Sequence, residues 1–547
     1  MKRREKKQRA DGSFLSGVLI LSVSTVLVKV IGLFSKIPLI GCLGAQGMGY
    51  FNSAYEIYAL LCVISTAGLP VALAMLISAA RERGEMGQTA HIFRCGFWIF
   101  CILGVLSSAG MLLFADSIAS AIGNVDAAPC IVAISPALLL VCISSAVRGY
   151  FQGYRRMGPT AVSQLIEAVG KLVLGVPFAL FALKRGYSIP VAASYAVWGL
   201  TLGTLLSTLY LLFLKAKESR GKLEHLPLKT VAKSRERTFS LLVKIAFPIT
   251  VSSAVLGVTR TVDMALILRR LGDVGVPLSR ANAIYGSYTT LSLPIFSLIP
   301  ALITPIALSL VPQLSAAIES RTESGQSRVV SDAIRLTVLL SLPASMGIAV
   351  YARPILSLLF SGEPEAVDIA APLLSVLGVS VFFSCMITTT NAVLQSYRKP
   401  NLAVLSTVIG SGVKIVSAYV FIGIPQIGVY GAPISTFLCN VTVTGLNLWF
   451  VYACVPGKKE IVPVYFKPFL ASLGAILLSV AVYVPMLSFC GRETLAFLGA
   501  LPVALVFYVI FAWVTRAVTK DDLAMLPHSK KETSKKSEKH TVTKTEP

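Results

Sequence analysis

Charged residues are scarce in this chain, and several kinds of functional motif are missing from it. Asp, Glu, Lys and Arg make up only 14% of the 547 residues, and there are four histidines. No Gly-x-x-x-x-Gly-Lys-Ser/Thr sequence occurs, which argues against direct ATP hydrolysis. The ten cysteines have neither metal-ligand nor redox spacing and are typical of small core residues. The sequence therefore predicts no enzyme, no metal site and no cofactor.

Hydrophobic residues, in contrast, are abundant. They make up 55% of the chain, and the mean hydropathy is +0.76. A soluble protein could not bury that much apolar surface, so the composition predicts a polytopic membrane protein. Since crossing a bilayer takes roughly 20 residues, we expect about 14 spans. All should be helical, because backbone groups in lipid must bond within their own segment. The spans are expected to begin near residues 14, 50, 90, 128, 159, 188, 239, 282, 330, 368, 400, 428, 464 and 494.

Basic residues outnumber acidic ones, 49 to 26, and the formal charge is +23. Most of the Lys and Arg residues fall in the two termini and in alternate loops. This pattern follows the positive-inside rule and predicts that both termini are cytoplasmic. Since topology accounts for the charge, nucleic-acid binding is not expected. The Lys-rich segment 519–547 has no apolar period and is predicted to be disordered.

One passage of the sequence occurs twice. Residues 142–171 and 385–414 align without a gap, and both join two apolar runs across a short basic turn. Six spans separate the copies, so they share one orientation, as in a parallel repeat. The chain is then divided into a basic tail (1–13), lobe one (14–216), a basic linker (217–238), lobe two (239–452), two further spans (453–518) and the tail 519–547. The matched residues include Cys142 and Cys385, Tyr154 and Tyr397, and Lys171 and Lys414.

Prolines cluster in the eighth predicted span. Pro294, Pro300 and Pro305 lie within twelve residues of one another. Each removes a backbone donor and favours a bend. We expect this span to bend during transport.

Ionisable residues within spans are the candidates for function, because they are costly in lipid. Arg148 lies close enough to the cytoplasmic side to extend toward water. Lys36 and Glu56 are expected near the outer surface. Glu167 with Lys171, and Arg260 with Asp263, are spaced for local ion pairs on one helix face.

Lys29 and Lys414 have no acid three or four positions away, and Gly410 stands where Glu167 stands in the first copy. Compensation for both lysines is therefore expected from another helix, a cavity or a ligand, and Lys414 in the second copy is expected to be free to meet a ligand. The deeper groups carry surplus positive charge. If they converge on one cavity, that cavity favours an anionic cargo. The predicted binding residues are Lys29, Lys36, Lys171, Arg260 and Lys414, with Glu167, Asp263 and Arg148 in supporting or coupling roles.

Three passages resemble a known family: VRGYFQGYRRMGPTAVSQLIE (147–167), KVIGLFSKIPLIGCLGAQGMGYFNSAYEIY (29–58) and AIYGSYTTLSLPIFSLIPALITPIALSLVPQLS (283–315). They are similar to the stage V sporulation protein B family of polysaccharide-biosynthesis transporters. That family is related to lipid II flippases within the multidrug/oligosaccharidyl-lipid/polysaccharide exporter superfamily. By this resemblance, Lys29 and Lys36 take the places of functional arginines in the first span of those flippases. An acid near the start of span 2 and an arginine in span 8 of those flippases have no counterpart here.

The resemblance implies a V-shaped bundle of two lobes that works by alternating access. The implied cargo is a lipid-linked anionic saccharide, such as the undecaprenyl-diphosphate peptidoglycan precursor lipid II. We expect a monomer in the bacterial cytoplasmic membrane, in contact with membrane lipids and driven by the membrane potential or an ion gradient. Two other functions are compatible with the sequence: a drug or cation antiporter of the same superfamily, and a non-transport scaffold for cell-wall synthesis in sporulation.

Overall fold

The computed structural model describes residues 2–222, 235–456 and 462–515, with the side chains of all but the first 23 residues and a few other positions. These residues form helices and short turns, and no strand occurs among them. Most of the predicted linker 217–238 and all of the tail 519–547 lie outside the described residues. The predicted all-α membrane fold is confirmed.

Seven helices form lobe one. They are α1 Lys2–Thr66, α2 Leu69–Glu82, α3 Met86–Leu113, α4 Ala115–Ala121, α5 Ala128–Gly153, α6 Gly158–Lys184 and α7 Ile189–Lys222.

Eight helices form lobe two, and two more follow it. Lobe two has α8 Arg235–Asp273, α9 Leu278–Ser287, α10 Leu293–Glu319, α11 Glu323–Val350, α12 Ala352–Leu359, α13 Pro364–Ser396, α14 Pro400–Ile422 and α15 Gly431–Cys454. The final pair is α16 Lys467–Cys490 and α17 Glu493–Val514. Many of these helices carry proline in their first turn, where the missing N–H has no helical acceptor in any case.

Twelve segments of the described residues are long and apolar enough to cross a membrane, and one bent pair makes thirteen. The first of them, Ser24–Glu82, is 59 residues long. At 1.5 Å per residue this is far longer than one crossing of a ~30 Å hydrocarbon core requires. Gly44 breaks it with φ 67° and ψ 175°, a conformation that favours glycine. The segment thus has room for two predicted spans, and the total is consistent with the fourteen predicted.

The lobes are in direct contact at the end of the bundle predicted to face outside. Gly286 of α9 lies against the carbonyl of Ala45 in α1, where any side chain at that position would overlap it. Asn124 and Asn282 exchange two amide hydrogen bonds of 2.8 and 3.0 Å between the lobes. These contacts close this end of the space between the lobes.

The helix that begins at α9 changes its hydrogen bonding before the proline cluster. Residues Tyr288–Ser292 form a π-helical turn, and α10 follows directly with Pro294 in its first turn. Such a turn inserts one residue into the helical register. The predicted eighth span is therefore interrupted at this turn, whereas α10 continues through Pro300 and Pro305.

The two copies of the repeated passage have the same turn. Arg155 and Arg398 both adopt left-handed φ values, 59° and 57°. Each donates its N–H to a glutamine carbonyl three residues earlier, at 2.8 and 3.0 Å. The shared backbone of these turns agrees with the predicted duplication of the lobes.

Candidate functional site

A cavity of about 560 Å³ lies between the two lobes. Its walls come from α1 and α6 on one side and from α8, α9, α10, α14 and α15 on the other. All five predicted binding residues line it: Lys29, Lys36, Lys171, Arg260 and Lys414. The convergence on one cavity that the charge argument required is therefore present. Their role in binding stays a prediction.

Two acidic residues, Glu56 and Asp263, also line the cavity. Five bases against two acids leave the walls with surplus positive charge. Glu56 lies within electrostatic range of Arg260, Lys36 and Lys414. Lys36 and Glu56 were expected near the outer surface; the structure adds that both side chains line the cavity, and their depth in the membrane stays a prediction.

Three of the five bases already have partners in the protein. Lys36 donates from Nζ to the carbonyl of Thr289, at 2.7 Å, within the π-helical turn. The Nζ of Lys171 lies over the rings of Phe51 and Tyr55, 5.2 and 5.1 Å from their centroids. These cation–π contacts offset part of the free energy lost when the ammonium group is removed from water.

The third of these bases is Lys414, whose Nζ lies 2.9 Å from Oδ2 of Asp263. The two side chains are only 14% and 12% exposed. Of the three expected sources of compensation for Lys414, another helix provides it, so this lysine is not free, contrary to the other expectation. The expected Arg260–Asp263 pair does not form either, since Asp263 turns to another helix instead.

Lys29 and Arg260 differ from these three. Within the described part of the chain, neither has an ion pair or a hydrogen bond through its side chain. They project from α1 and α8, in different lobes, and lie close enough for their like charges to repel. For Lys29 the described residues provide no partner on another helix, and the side chain lines the cavity, which was one of the expected alternatives.

Arg148 and Glu167 form a separate network inside lobe one. Nη2 of Arg148 lies 3.1 Å from Oε2 of Glu167, and the guanidinium also donates to Ser163 at 3.0 Å and Ser207 at 3.3 Å. Neither charged residue lines the cavity. The expected Glu167–Lys171 pair was wrong, and Arg148, at 14% exposure, does not extend to the surface. A local spacing rule favoured the lysine one turn away, but the arginine on α5 provides several donors in a fixed plane.

Sequence reasoning did not single out Asn52. Its Nδ2 donates to the hydroxyls of Thr289 and Thr290 across the lobes, at 2.9 and 2.8 Å. Together with Lys36, it connects α1 to the π-helical turn of lobe two. An amide within an apolar run was the available signal, because buried amides in membranes need partners.

Among the described residues, no group of three or more His, Cys, Asp or Glu side chains could hold a metal ion. What the cavity offers is positive charge, aromatic rings and a few hydroxyl and amide groups.

Comparison with known proteins agrees with this architecture. A family model described as polysaccharide biosynthesis protein matches residues 14–318, and a MatE model matches residues 287–420. Stage V sporulation protein B of Bacillus subtilis (strain 168) is 25% identical over 528 residues, covering 95% of this chain and 98% of its own length. Lipid II flippase MurJ of the same organism is 26% identical, covering 74% and 77%.

Solved structures share the fold. A structure of lipid II flippase MurJ in an inward closed conformation has a TM-score of 0.65 at 15% identity, covering 91% of this chain and 98% of its own. An inward-facing multidrug resistance MATE transporter also reaches 0.65 at 15% identity, covering 80% and 98%. The prediction of a multi-pass membrane protein that is not an enzyme is confirmed by these relatives. Since one family model covers more than half of its length, the chain belongs to the polysaccharide biosynthesis protein family.

Proposed function

We propose that the chain is a flippase that moves an anionic lipid-linked saccharide across the membrane by alternating access. The observation that carries this proposal is the cavity between the lobes, with five bases and only two acids in its walls. Where water is scarce, such a surplus attracts anions and repels cations strongly. The same surplus argues against a drug or cation antiporter.

The two unpaired bases are suited to meet the anion first. A cargo does not have to displace an ion-pair partner within the described residues to reach Lys29 or Arg260. The two bases come from opposite lobes. A diphosphate has enough oxygens to accept from both at once, and guanidinium binds phosphate oxygens well. Neutralising both charges removes their repulsion and allows the two lobes to approach each other around the cargo.

The prenyl tail of the cargo is best left in lipid. We assign it to the surface of α16 and α17, whose lipid-facing side chains are large and apolar. Phe489, Val509 and Trp513 are examples, at 93%, 66% and 76% exposure. The headgroup in the cavity and the tail on this surface would cross the membrane together.

The energy source in this proposal is the membrane potential or an ion gradient. Moving negative charge from the inside to the outside follows the potential, at about 2.3 kcal/mol for each elementary charge per 100 mV. Lipid II is the cargo we propose first, in a chain with both termini cytoplasmic and acting as a monomer.

The test is rescue of a bacterium depleted of its own lipid II flippase, with labelling of lipid II in the outer leaflet. We expect the wild-type chain to restore outer-leaflet lipid II. The double variant Lys29→Gln with Arg260→Gln should abolish rescue. Lys244→Gln is the matched control, because that lysine lies on α8 but outside the cavity. Full rescue by the double variant would refute the proposed use of the cavity, and absence of rescue by the wild type would point to another glycan.

A further inference from the structure

The Lys414–Asp263 ion pair occupies a position where an anionic cargo would be expected to bind. Both residues line the cavity, and their charged atoms lie 2.9 Å apart. Both belong to lobe two, on α14 and α8, so this pair does not hold the lobes together. An ammonium this little exposed requires a negative partner, and in the empty cavity Asp263 is that partner.

Asp263 satisfies Lys414 with one oxygen only. Its other oxygen, Oδ1, is buried and has no hydrogen-bond partner among the described residues. A half-satisfied buried carboxylate is costly, so the pair is not an optimal structural element. Arg260, three residues earlier on the same helix and without an ion-pair partner in the described residues, offers Asp263 a second place to bind.

We propose that Asp263 is an internal competitor of the cargo. In the empty cavity its carboxylate stands in for a phosphate at Lys414. When the diphosphate of a lipid-linked saccharide enters, it takes Lys414. Asp263 then turns to Arg260 on its own helix, whose five N–H donors suffice for this carboxylate and for a phosphate oxygen. This inference rests on the proposed function and assigns to one residue a role in setting affinity.

The exchange has a consequence for release. Without Asp263, Lys414 would join Lys29 and Arg260 as a third base without an ion-pair partner among the described residues, and a diphosphate bound to all three would leave slowly. A carboxylate that returns to Lys414 displaces the phosphate and limits its residence time. Asp263 therefore lowers affinity for the cargo and speeds its dissociation.

The experiment uses the purified full-length chain in detergent micelles, titrated with undecaprenyl diphosphate. Undecaprenol serves as the uncharged comparison ligand. Asp263→Asn should tighten binding of the diphosphate about tenfold, which corresponds to one charge-assisted hydrogen bond gained. Its dissociation rate should fall in proportion. Asp263→Glu, which keeps the charge, should restore values close to the wild type.

A double variant shows whether the gain passes through Lys414. Asp263→Asn combined with Lys414→Gln should lose the tenfold gain, whereas binding as tight as in Asp263→Asn alone would overturn the proposal. Asp368→Asn, which alters the exposed pair with Arg353, is the matched control and should leave affinity unchanged.

The possible failures can be told apart. If the wild type binds undecaprenyl diphosphate no better than undecaprenol, the proposed function fails. If the wild type prefers the diphosphate but Asp263→Asn binds it equally or more weakly, the competitor role fails alone. Should Asp263→Asn prove unstable, Asp263→Ser removes the same charge and is subject to the same criterion.

Discussion

The two copies of the repeated passage stabilise their lobes by different chemistry. In lobe one, Arg148 and Glu167 form an ion pair between α5 and α6, and two serines accept from the same guanidinium. The positions that align with this pair in lobe two are Asn391 and Gly410. There, Asn391 accepts from Nδ2 of Asn447 at 2.8 Å, which is a neutral amide contact.

The difference explains why the repeated lysines have different surroundings. Gly410 lies so close to α15 that any side chain would overlap Val443, so no acid fits there. Lys414 consequently takes its counter-charge from Asp263 on α8. Glu167 pairs with Arg148 rather than with Lys171, and the ammonium group of Lys171 lies over the rings of Phe51 and Tyr55 instead. A duplicated lysine can therefore be retained while each lobe compensates it in its own way.

Among the variants that test this difference between the lobes, Arg148→Ala is expected to change the free energy of unfolding most. It leaves Glu167 without its partner inside the lobe, and the free energy of unfolding should fall by about 3 kcal/mol. Asn391→Ala, at the aligned position, should cost only about 1 kcal/mol, because a neutral acceptor is lost. Unfolding in mixed detergent and dodecyl sulfate micelles measures both. Equal losses would mean that the charged network is no stronger than the neutral one.

A smaller loss is expected from Gly410→Ala. The added methyl overlaps Val443, so α14 and α15 must separate slightly, at a cost of about 2 kcal/mol. Gly412→Ala is the control, since open space surrounds that position. The same unfolding experiment applies, and a neutral Gly410→Ala would show that close packing is not what excludes an acid here.

The smallest effect on the free energy of unfolding is expected at the two turns of the repeated passage, whose backbones have the same conformation. The hydroxyl of Tyr154 lies 3.2 Å from that of Thr89, and the hydroxyl of Tyr397 donates to Gln326 at 2.9 Å. Replacing either tyrosine by phenylalanine should lower the free energy of unfolding by about 1 kcal/mol, because one net hydrogen bond is lost. Similar values for the two variants would support equivalent turns. A difference above about 2 kcal/mol would indicate that the lobes have diverged there too.

Composition was sufficient to predict the helical membrane fold, and the bases within apolar runs are the ones that line the cavity. The pairing of those bases was not predictable from the same information. A spacing of three or four residues identifies neighbours on one helix, but Glu167 and Asp263 both turn to bases on other helices. Which neighbour is reached depends on the rotation and tilt of each helix, and these are set by packing of the whole bundle.

Lys36 and Glu56 flank Gly44, where the long first helix breaks, and both side chains line the cavity. Counting residues from a loop could not show into which space these side chains project, because that depends on how the two halves of the helix are oriented at the break.

The π-helical turn Tyr288–Ser292 also determines which side chains of α10 face the cavity. One additional residue in a helix of 3.6 residues per turn rotates the downstream segment by about 100°. Deleting a single residue from this turn would therefore keep the span helical while presenting a different side of α10 to the cavity. Relatives that lack or gain one residue at this point would line their cavities with other side chains, even where the rest of the helix is identical.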